Sequence, residues 1–246
     1  MANIIIGRNP VMEALKSERE IDRLIVLKDG EGSIKKIIGK AKDKKLPIQY
    51  ADKSTLDRLA DGNVHQGVIA YVSEYEYWDV DEILKLAEKR GEDPFIIILD
   101  GIEDPHNLGA IIRSADGAGA HGVIIPKRRA VGITETVAKA SAGAIEYVPV
   151  ARVSNIVQVI EKLKKVGVWI AACDLGGDTY YDSNLKGSFA LVVGGEGKGV
   201  SRLVREKCDF ILSIPMEGHI NSLNASNAAA VLMYELKRQR DMNSSD

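Results

Sequence analysis

The chain has 246 residues, of which 45% are hydrophobic, 28% charged and 5% aromatic. Its 33 basic and 35 acidic side chains nearly balance, which excludes a disordered tail of one charge sign. Two cysteines with no metal-ligand spacing predict neither a disulfide framework nor a metal site. No run approaches the roughly 18 apolar residues of a membrane span. We therefore expect a soluble, cytoplasmic α/β protein of two domains.

The first 72 residues predict a small α/β domain. Short helical patterns alternate there with extended apolar runs at residues 23–27, 47–50 and 67–72. The segment also carries a dense basic group, formed by Lys35, Lys36, Lys40, Lys42, Lys44 and Lys45. Such a group is either the solvated face of a helix or a stripe that contacts nucleic-acid phosphates.

Residues 73–92 predict a polar linker followed by a helix, which Asp79 and Glu82 would begin as a capping-box pair. From residue 93 to residue 246, continuous apolar runs alternate with helical patterns. These runs are residues 95–99, 122–126, 168–172, 189–193 and 210–214. Strands that alternate with helices predict a mostly parallel sheet. The last helix, predicted from about 226 to 240, has an apolar face that suits either a core or a dimer contact.

Three loops that follow predicted strands are rich in glycine and polar residues: 100–109, 194–199 and 214–226. Ligands of open parallel sheets bind beyond the carboxyl ends of the strands, so these loops favour a binding site. Each loop also has a purely structural interpretation, as a helix start after Asp104, a flexible turn, or a helix cap at Asn224 or Ser226. A dinucleotide site is disfavoured, because Val200 stands where the Gly-x-Gly-x-x-Gly fingerprint needs a small residue.

The three loops resemble the three motifs of the SpoU/TrmH branch of the SPOUT methyltransferases, which methylate ribose 2′-hydroxyls in RNA. Residues 107–113 resemble motif one. Residues 191–199, continuing to 211–216, resemble motif two, and residues 222–226 resemble motif three. The resemblance implies a SPOUT-type α/β catalytic domain at residues 93–246, with a C-terminal trefoil knot formed by residues 188–240.

The N-terminal segment adds to this resemblance. Residues 7–15 and 65–67 are similar to the N-terminal RNA-binding module of RlmB-type enzymes, which methylate a guanosine of 23S rRNA. Residues 1–72 would accordingly bind the RNA substrate. The family also implies a homodimer whose sites are completed across the interface, with no metal and no membrane.

The resemblance assigns roles to individual residues. S-adenosylmethionine would contact Gly194, Ile214, Met216 and Leu223. The catalytic group would comprise Arg113, Asn107, Glu196, Ser222 and Asn224. Arg113 would act either as a base or electrostatically, by stabilising the developing alkoxide, and the high pKa of arginine favours the second role.

Three alternatives stay open at this point. The substrate could be a tRNA guanosine or an rRNA adenosine, since related enzymes methylate both. A non-catalytic RNA-binding protein could keep the same fold, although the five catalytic positions all match the motifs. S-adenosylmethionine binding separates this last alternative and the dinucleotide site from a methyltransferase.

Overall fold

A computed structural model describes the chain over residues 3–17, 21–44, 46–72 and 75–243. Two compact units are formed by these residues. The first unit comprises the residues up to Glu76 together with residues 133–147. The second unit comprises residues 77–132 and the residues from Val148 onward. Lys45 of the basic group, and residues 73 and 74 of the predicted linker, lie outside the described residues.

The first unit is a small α/β structure. Its strands are β1 (Asn3–Ile6), β2 (Ile21–Leu27), β3 (Ile48–Ala51) and β4 (Val68–Val72). Its helices are α1 (Arg8–Lys16), α2 (Ser33–Asp43), α3 (Lys53–Ala60) and α6 (Glu135–Ala140). The strands are ordered β1-β4-β2-β3, with β4 antiparallel to both neighbours and β2 parallel to β3. Successive strand residues face opposite sides, so Ile5 packs in the cluster of α1 and α2 while Ile6 packs with α3.

The predicted domain boundaries differ from these units in two places. The helix predicted next to the linker, α4 (Val80–Arg90), belongs to the second unit. Residues 133–147, predicted within the catalytic domain, belong to the first unit, where the Ser17 hydroxyl donates to Glu146 Oε2 at 2.9 Å. The Tyr147 hydroxyl also donates to Glu13. Side-chain pairs more than 100 positions apart hold this segment in place, and no local pattern encodes such pairs.

The second unit contains the predicted parallel sheet. Its strands are β5 (Phe95–Asp100), β6 (Gly122–Pro126), β7 (Val150–Val153), β8 (Trp169–Thr179), β9 (Phe189–Gly194) and β10 (Phe210–Ser213). In the described part of the chain they form six parallel strands ordered β10-β8-β9-β5-β6-β7. Residues 95–99 are fully buried, as expected for a strand that helices cover on both faces. The parallel α/β prediction is confirmed.

Helices flank this sheet, and two of them frame the functional loops. Besides α4, they are α5 (Pro105–Ala118), α7 (Ile156–Lys165), α8 (Arg202–Lys207) and α9 (Ala225–Asn243). Asp79 donates its backbone N–H to Glu82 Oε2 at 2.8 Å, as the capping-box prediction requires. The helix start predicted at Asp104 is also confirmed, since Asp104 accepts the His106 N–H at 3.0 Å and Pro105 is the first helical residue.

The apolar face of α9 decides between the two uses predicted for it. Its four apolar side chains are completely buried within the chain itself: Ala229, Leu232, Met233 and Leu236. The helix packs against α5 and β9. This face therefore serves the core of the second unit, and a dimer contact would need other residues.

The trefoil knot stays a prediction of the resemblance. Within the described ranges, no helix combines the length and the apolar character that crossing a membrane requires.

Candidate active site

The order of the strands brings the three predicted loops to one edge of the sheet. Strand β9 lies directly beside β5, and Asp100 pairs with Gly194 where both strands end. The Gly195 N–H donates to the Asp100 carbonyl at 3.0 Å, and the Asp100 carboxylate accepts the Ser201 N–H at 2.8 Å. Asp100, the last residue of β5, therefore holds the chain at both ends of the glycine loop, residues 195–199.

Three side chains, one from each motif, form a hydrogen-bonded group that we call the amide–carboxylate cluster: Asn107, Glu196 and Asn224. Glu196 Oε1 accepts from Asn107 Nδ2 at 3.0 Å and from Asn224 Nδ2 at 2.6 Å. Asn224 Nδ2 also donates to Asn107 Oδ1 at 3.0 Å. Asn107 is buried, so its amide needs these partners. Positions up to 117 residues apart in sequence thus converge.

Asn224 combines both interpretations made from the sequence. It precedes α9, and its backbone carbonyl accepts the Ala228 N–H at 3.0 Å, as a helix cap does. Its side-chain Oδ1 accepts from the backbone N–H and the hydroxyl of Ser226, at 2.9 and 2.6 Å. Because Oδ1 is occupied in this way, Nδ2 is directed toward Glu196. The start of the last helix therefore orients one member of the cluster.

A cleft of about 590 Å³ opens beside the cluster, and we call it the first cleft. All four predicted cofactor residues line it: Gly194, Ile214, Met216 and Leu223. Glu196, Ser222 and Asn224 line it as well. Its volume lies within the range of small-molecule sites, and Ile214, Met216 and Leu223 offer apolar surface for an adenine ring. These residues fit S-adenosylmethionine.

Two glycines make this cleft possible. A Cβ on Gly194 would lie 2.1 Å from the carbonyl carbon of Gly199, and a Cβ on Gly195 would lie 2.1 Å from the carbonyl oxygen of Gly101. The predicted contact between S-adenosylmethionine and Gly194 does not by itself explain why this residue is a glycine. Glycine is needed at position 194 because the chain folds back on itself there, with Gly199 N–H donating to Gly195 O at 3.0 Å.

One wall of the first cleft was missed by the sequence analysis. Strand β8 leaves its partner β10 between Ala172 and Asp178, and the intervening residues 173–177 bulge toward the cleft. Arg205 holds this bulge through an ion pair with Asp174 at 3.2 Å and a bond to the Leu175 carbonyl at 3.4 Å. Paired glycines inside a strand pattern, here Gly176 and Gly177, are the signal that could have revealed it.

Cys173, at the base of this bulge, lines the first cleft. Burial, followed by the neighbouring charge of Asp174, raises the pKa of its thiol to about 11. The thiol therefore stays protonated at neutral pH and is a poor nucleophile. In the described parts of the chain, no group of three His, Cys, Asp or Glu side chains is placed to hold a metal ion.

The structure does not bring Arg113 to the amide–carboxylate cluster. Arg113 is exposed on α5 and lines neither this cleft nor the other one that borders the glycine loop. It lies six positions after Asn107, which on a helix corresponds to about 9 Å along the axis and about 120° of rotation. Glu196 and Arg113 form no hydrogen bond or ion pair within the described residues, and Glu196 bonds to Asn107 and Asn224 instead.

The sequence matches two family models, one over each part of the chain, and is similar to a bacterial protein over nearly its whole length. A family model described as the SpoU rRNA methylase family matches residues 94–234. A second model, described as RNA 2′-O ribose methyltransferase substrate binding, matches residues 4–78. The chain is 49% identical over 240 residues to YacO of Bacillus subtilis, named as a TrmH family tRNA/rRNA methyltransferase, and the match covers 96% of each protein.

Solved structures show the same similarity. The SpoU methyltransferase AviRb from Streptomyces viridochromogenes matches with a TM-score of 0.83 and 27% identity, covering 98% of this chain and 91% of AviRb. AviRb has also been solved in complex with the cofactor AdoMet, and that structure matches with a TM-score of 0.81. The A. aeolicus TrmH/SpoU tRNA modifying enzyme matches with a TM-score of 0.57 and 28% identity, over 67% of this chain and 85% of that enzyme.

Proposed function

Because the chain belongs to the SpoU rRNA methylase family, we propose that it methylates the ribose 2′-hydroxyl of a guanosine in 23S rRNA. S-adenosylmethionine is the methyl donor of this family. The observation that carries the proposal is the amide–carboxylate cluster, which joins the three motifs at the rim of a cleft that fits the donor.

The cofactor supplies an electrophilic methyl group, and the chain must hold and activate a weakly acidic ribose hydroxyl beside it. Glu196 suits this task, since the two asparagine amides engage only its Oε1. Its Oε2 has no hydrogen-bond partner within the described residues and can accept the proton of the 2′-hydroxyl. Asn107 and Asn224 orient the carboxylate, and Ser222 at the edge of the first cleft can hydrogen-bond the ribose.

In the proposed reaction, Arg113 acts at the active site of a second subunit. Arg113 is exposed, lines neither cleft of its own chain, and has no hydrogen bond or ion pair in the structure as described. In a homodimer it would reach the cluster of the partner subunit, where its permanent charge would stabilise the developing alkoxide or hold the adjacent phosphate. The same arginine would then explain why a single chain lacks a complete active site.

Two features support ribosomal RNA over tRNA as the substrate. Residues 4–78 match a substrate-binding module, whereas the match to the tRNA modifying enzyme leaves a third of this chain uncovered. The module also exposes a basic helix, α2, on which Lys35, Lys36 and Lys40 face solvent. Sequence-independent attraction to a long folded RNA is the expected use of such a face. A ribosomal substrate would also place the reaction in the cytoplasm.

The test is methyl transfer from tritiated S-adenosylmethionine to 23S rRNA, 16S rRNA and tRNA transcripts, followed by nucleoside mapping. We expect 2′-O-methylguanosine from 23S rRNA only. Label on tRNA guanosine or on rRNA adenosine would show that this nucleotide, and not a 23S rRNA guanosine, is the substrate. Label on a base, or S-adenosylmethionine binding without any transfer to the three RNAs, would refute the proposed reaction.

A further inference from the structure

A second cleft also borders the glycine loop. It has a volume of about 440 Å³ and is lined by the end of β5 and the loop that follows it, by Pro126, Arg128 and Arg129 at and beyond the end of β6, and by the glycine loop itself. The two clefts share four lining residues: Gly195, Glu196, Lys198 and Gly199. The amide–carboxylate cluster stands at their junction, since Asn224 lines the first cleft, Asn107 lines the second, and Glu196 lines both.

The mouth of the second cleft carries two unpaired guanidinium groups. Arg128 and Arg129 both line it, both are exposed, and neither has a hydrogen bond or ion pair within the described residues. Arg129 has a φ of 57°, a backbone conformation that is costly for any residue other than glycine. The Val131 N–H holds this loop against the loop after β5 by donating to the Ile102 carbonyl at 3.0 Å. A strained backbone that is held in place while its side chain has no partner indicates a binding role.

Of the four acidic residues that line the second cleft, three accept hydrogen bonds from the chain and one does not. Asp100 accepts the Ser201 N–H, Asp104 accepts the His106 N–H, and Glu196 accepts from the cluster amides. Glu103 alone is exposed with no hydrogen bond to the described residues. A free carboxylate is an acceptor only, so it suits a ligand edge that presents N–H donors, as the guanine Watson–Crick edge does.

The geometry points to the second cleft as the site of the extruded target nucleotide, an inference that rests on the proposed function. The nucleoside enters the cleft, and a phosphate next to it is bound by Arg128 and Arg129 at the mouth. Its 2′-hydroxyl faces Glu196 at the junction, across which the methyl donor lies in the first cleft. Glu103 reads the N–H donors of the base. An unstacked nucleotide in a dedicated cleft is the form in which a ribose inside folded RNA becomes reachable.

The experiment compares Arg128→Ala and Arg129→Gly with the wild type. Glycine at position 129 keeps the positive φ and removes only the side chain. Arg202→Ala is the matched control, since Arg202 is an exposed arginine of the same unit that lies outside both clefts and pairs with Glu206. Each variant is assayed for methyl transfer across RNA concentrations, for RNA affinity across salt concentrations, for S-adenosylmethionine affinity and for thermal stability.

We expect each cleft variant to raise the KM for RNA about tenfold, the usual effect of losing one charge-assisted contact. The slope of log affinity against log salt should decrease by about 1 per arginine. S-adenosylmethionine affinity should match that of Arg202→Ala, and the melting temperature should be no lower than that of this control, since glycine at position 129 relieves the backbone strain. Arg129→Lys should recover the salt slope, because the charge returns, but not the full KM. Glu103→Gln should raise the KM without changing the salt slope.

Two results would overturn the inference, and they are distinguishable. If RNA KM and salt slope are the same in Arg128→Ala, Arg129→Gly and Arg202→Ala while ribose methylation continues, the second cleft is not the nucleotide site and the proposed function stands. If the wild type binds S-adenosylmethionine but methylates no RNA ribose, the proposed function fails and the inference fails with it.

Discussion

Substitution of Gly194 tests whether the glycine loop shapes the first cleft. In Gly194→Ala the new Cβ would lie 2.1 Å from the carbonyl carbon of Gly199, 2.3 Å from its oxygen and 2.3 Å from the Val200 nitrogen. All three are backbone atoms, so no flexible side chain can move aside. The loop must therefore open, which breaks the bond from Gly199 N–H to Gly195 O, now 3.0 Å long.

The magnitude follows from these contacts. Overpacking against rigid atoms costs about 2 kcal/mol, and the lost hydrogen bond adds about 1 kcal/mol. Because the cofactor site needs the closed loop, about 3 kcal/mol corresponds to a roughly 100-fold weaker affinity for S-adenosylmethionine. Because only the loop opens, we expect the melting temperature to fall by no more than about 10 °C. Isothermal titration calorimetry and thermal unfolding measure the two quantities.

Gly218→Ala is the matched control for this substitution. Gly218 belongs to the same unit, its φ is not positive, and a Cβ there would meet no heavy atom within 4 Å. Its affinity for S-adenosylmethionine should stay within about twofold of the wild type. If Gly194→Ala binds the cofactor as tightly as Gly218→Ala does, then the closed glycine loop does not define the cofactor site, and the reasoning from these distances is wrong.

Three further predictions concern the cluster, the subunit contact and pH. Glu196→Gln should lower the rate of methyl transfer about 100-fold or more, because the amide cannot accept the hydroxyl proton, while the Kd for S-adenosylmethionine changes little; single-turnover kinetics with calorimetry check this. Arg113→Ala should be inactive but folded, and mixing it with Glu196→Gln subunits should restore up to about a quarter of wild-type activity through one intact shared site per hybrid dimer; absence of any recovery would contradict a shared site. Burial lowers the pKa of His121 from its ordinary value of 6.5, although Glu92 opposes the shift. The unfolded chain therefore takes up this proton first, so the free energy of unfolding should fall as pH drops below 6.5, by at most about 1.4 kcal/mol per pH unit. Urea unfolding of the wild type and His121→Gln at several pH values should show a flatter dependence in the variant.

The sequence was sufficient to locate the functional edge of the sheet. Apolar runs such as residues 95–99 identify strands, and the polar, glycine-rich residues that follow them must lie at the carboxyl edge of a parallel sheet. Which loops become neighbours depends on strand order, because β9 is inserted between β8 and β5. Strand order follows from long-range packing, and no local pattern in the sequence predicts it.

Other features depend on long-range contacts that local patterns do not encode. The bulge at residues 173–177 needs Arg205 of α8 to hold it. Residues 133–147 join the first unit through Glu13 and Ser17, far away in sequence. The separation of Arg113 from Asn107 could have been predicted from the sequence, because six positions along a helix rotate one side chain by about 120° relative to the other. The motif alone suggests that the two residues share a site, and helical geometry separates them within a single chain, which is why the proposed reaction brings Arg113 from a second subunit.

The arrangement of the two clefts gives a physical reason for placing a carboxylate where the three motifs meet. A methyl donor and a nucleotide can be bound independently only if each has its own cleft, yet the reacting atoms must approach within about 3 Å. In the proposed arrangement the glycine loop meets both demands, since its backbone and Glu196 line both clefts. A bulkier loop would separate the two ligands, and a loop without the acid would bring them together with no acceptor for the proton. Asn107 and Asn224 hold the carboxylate by binding one of its oxygens, which in the proposed reaction leaves the other oxygen to accept the proton of the 2′-hydroxyl.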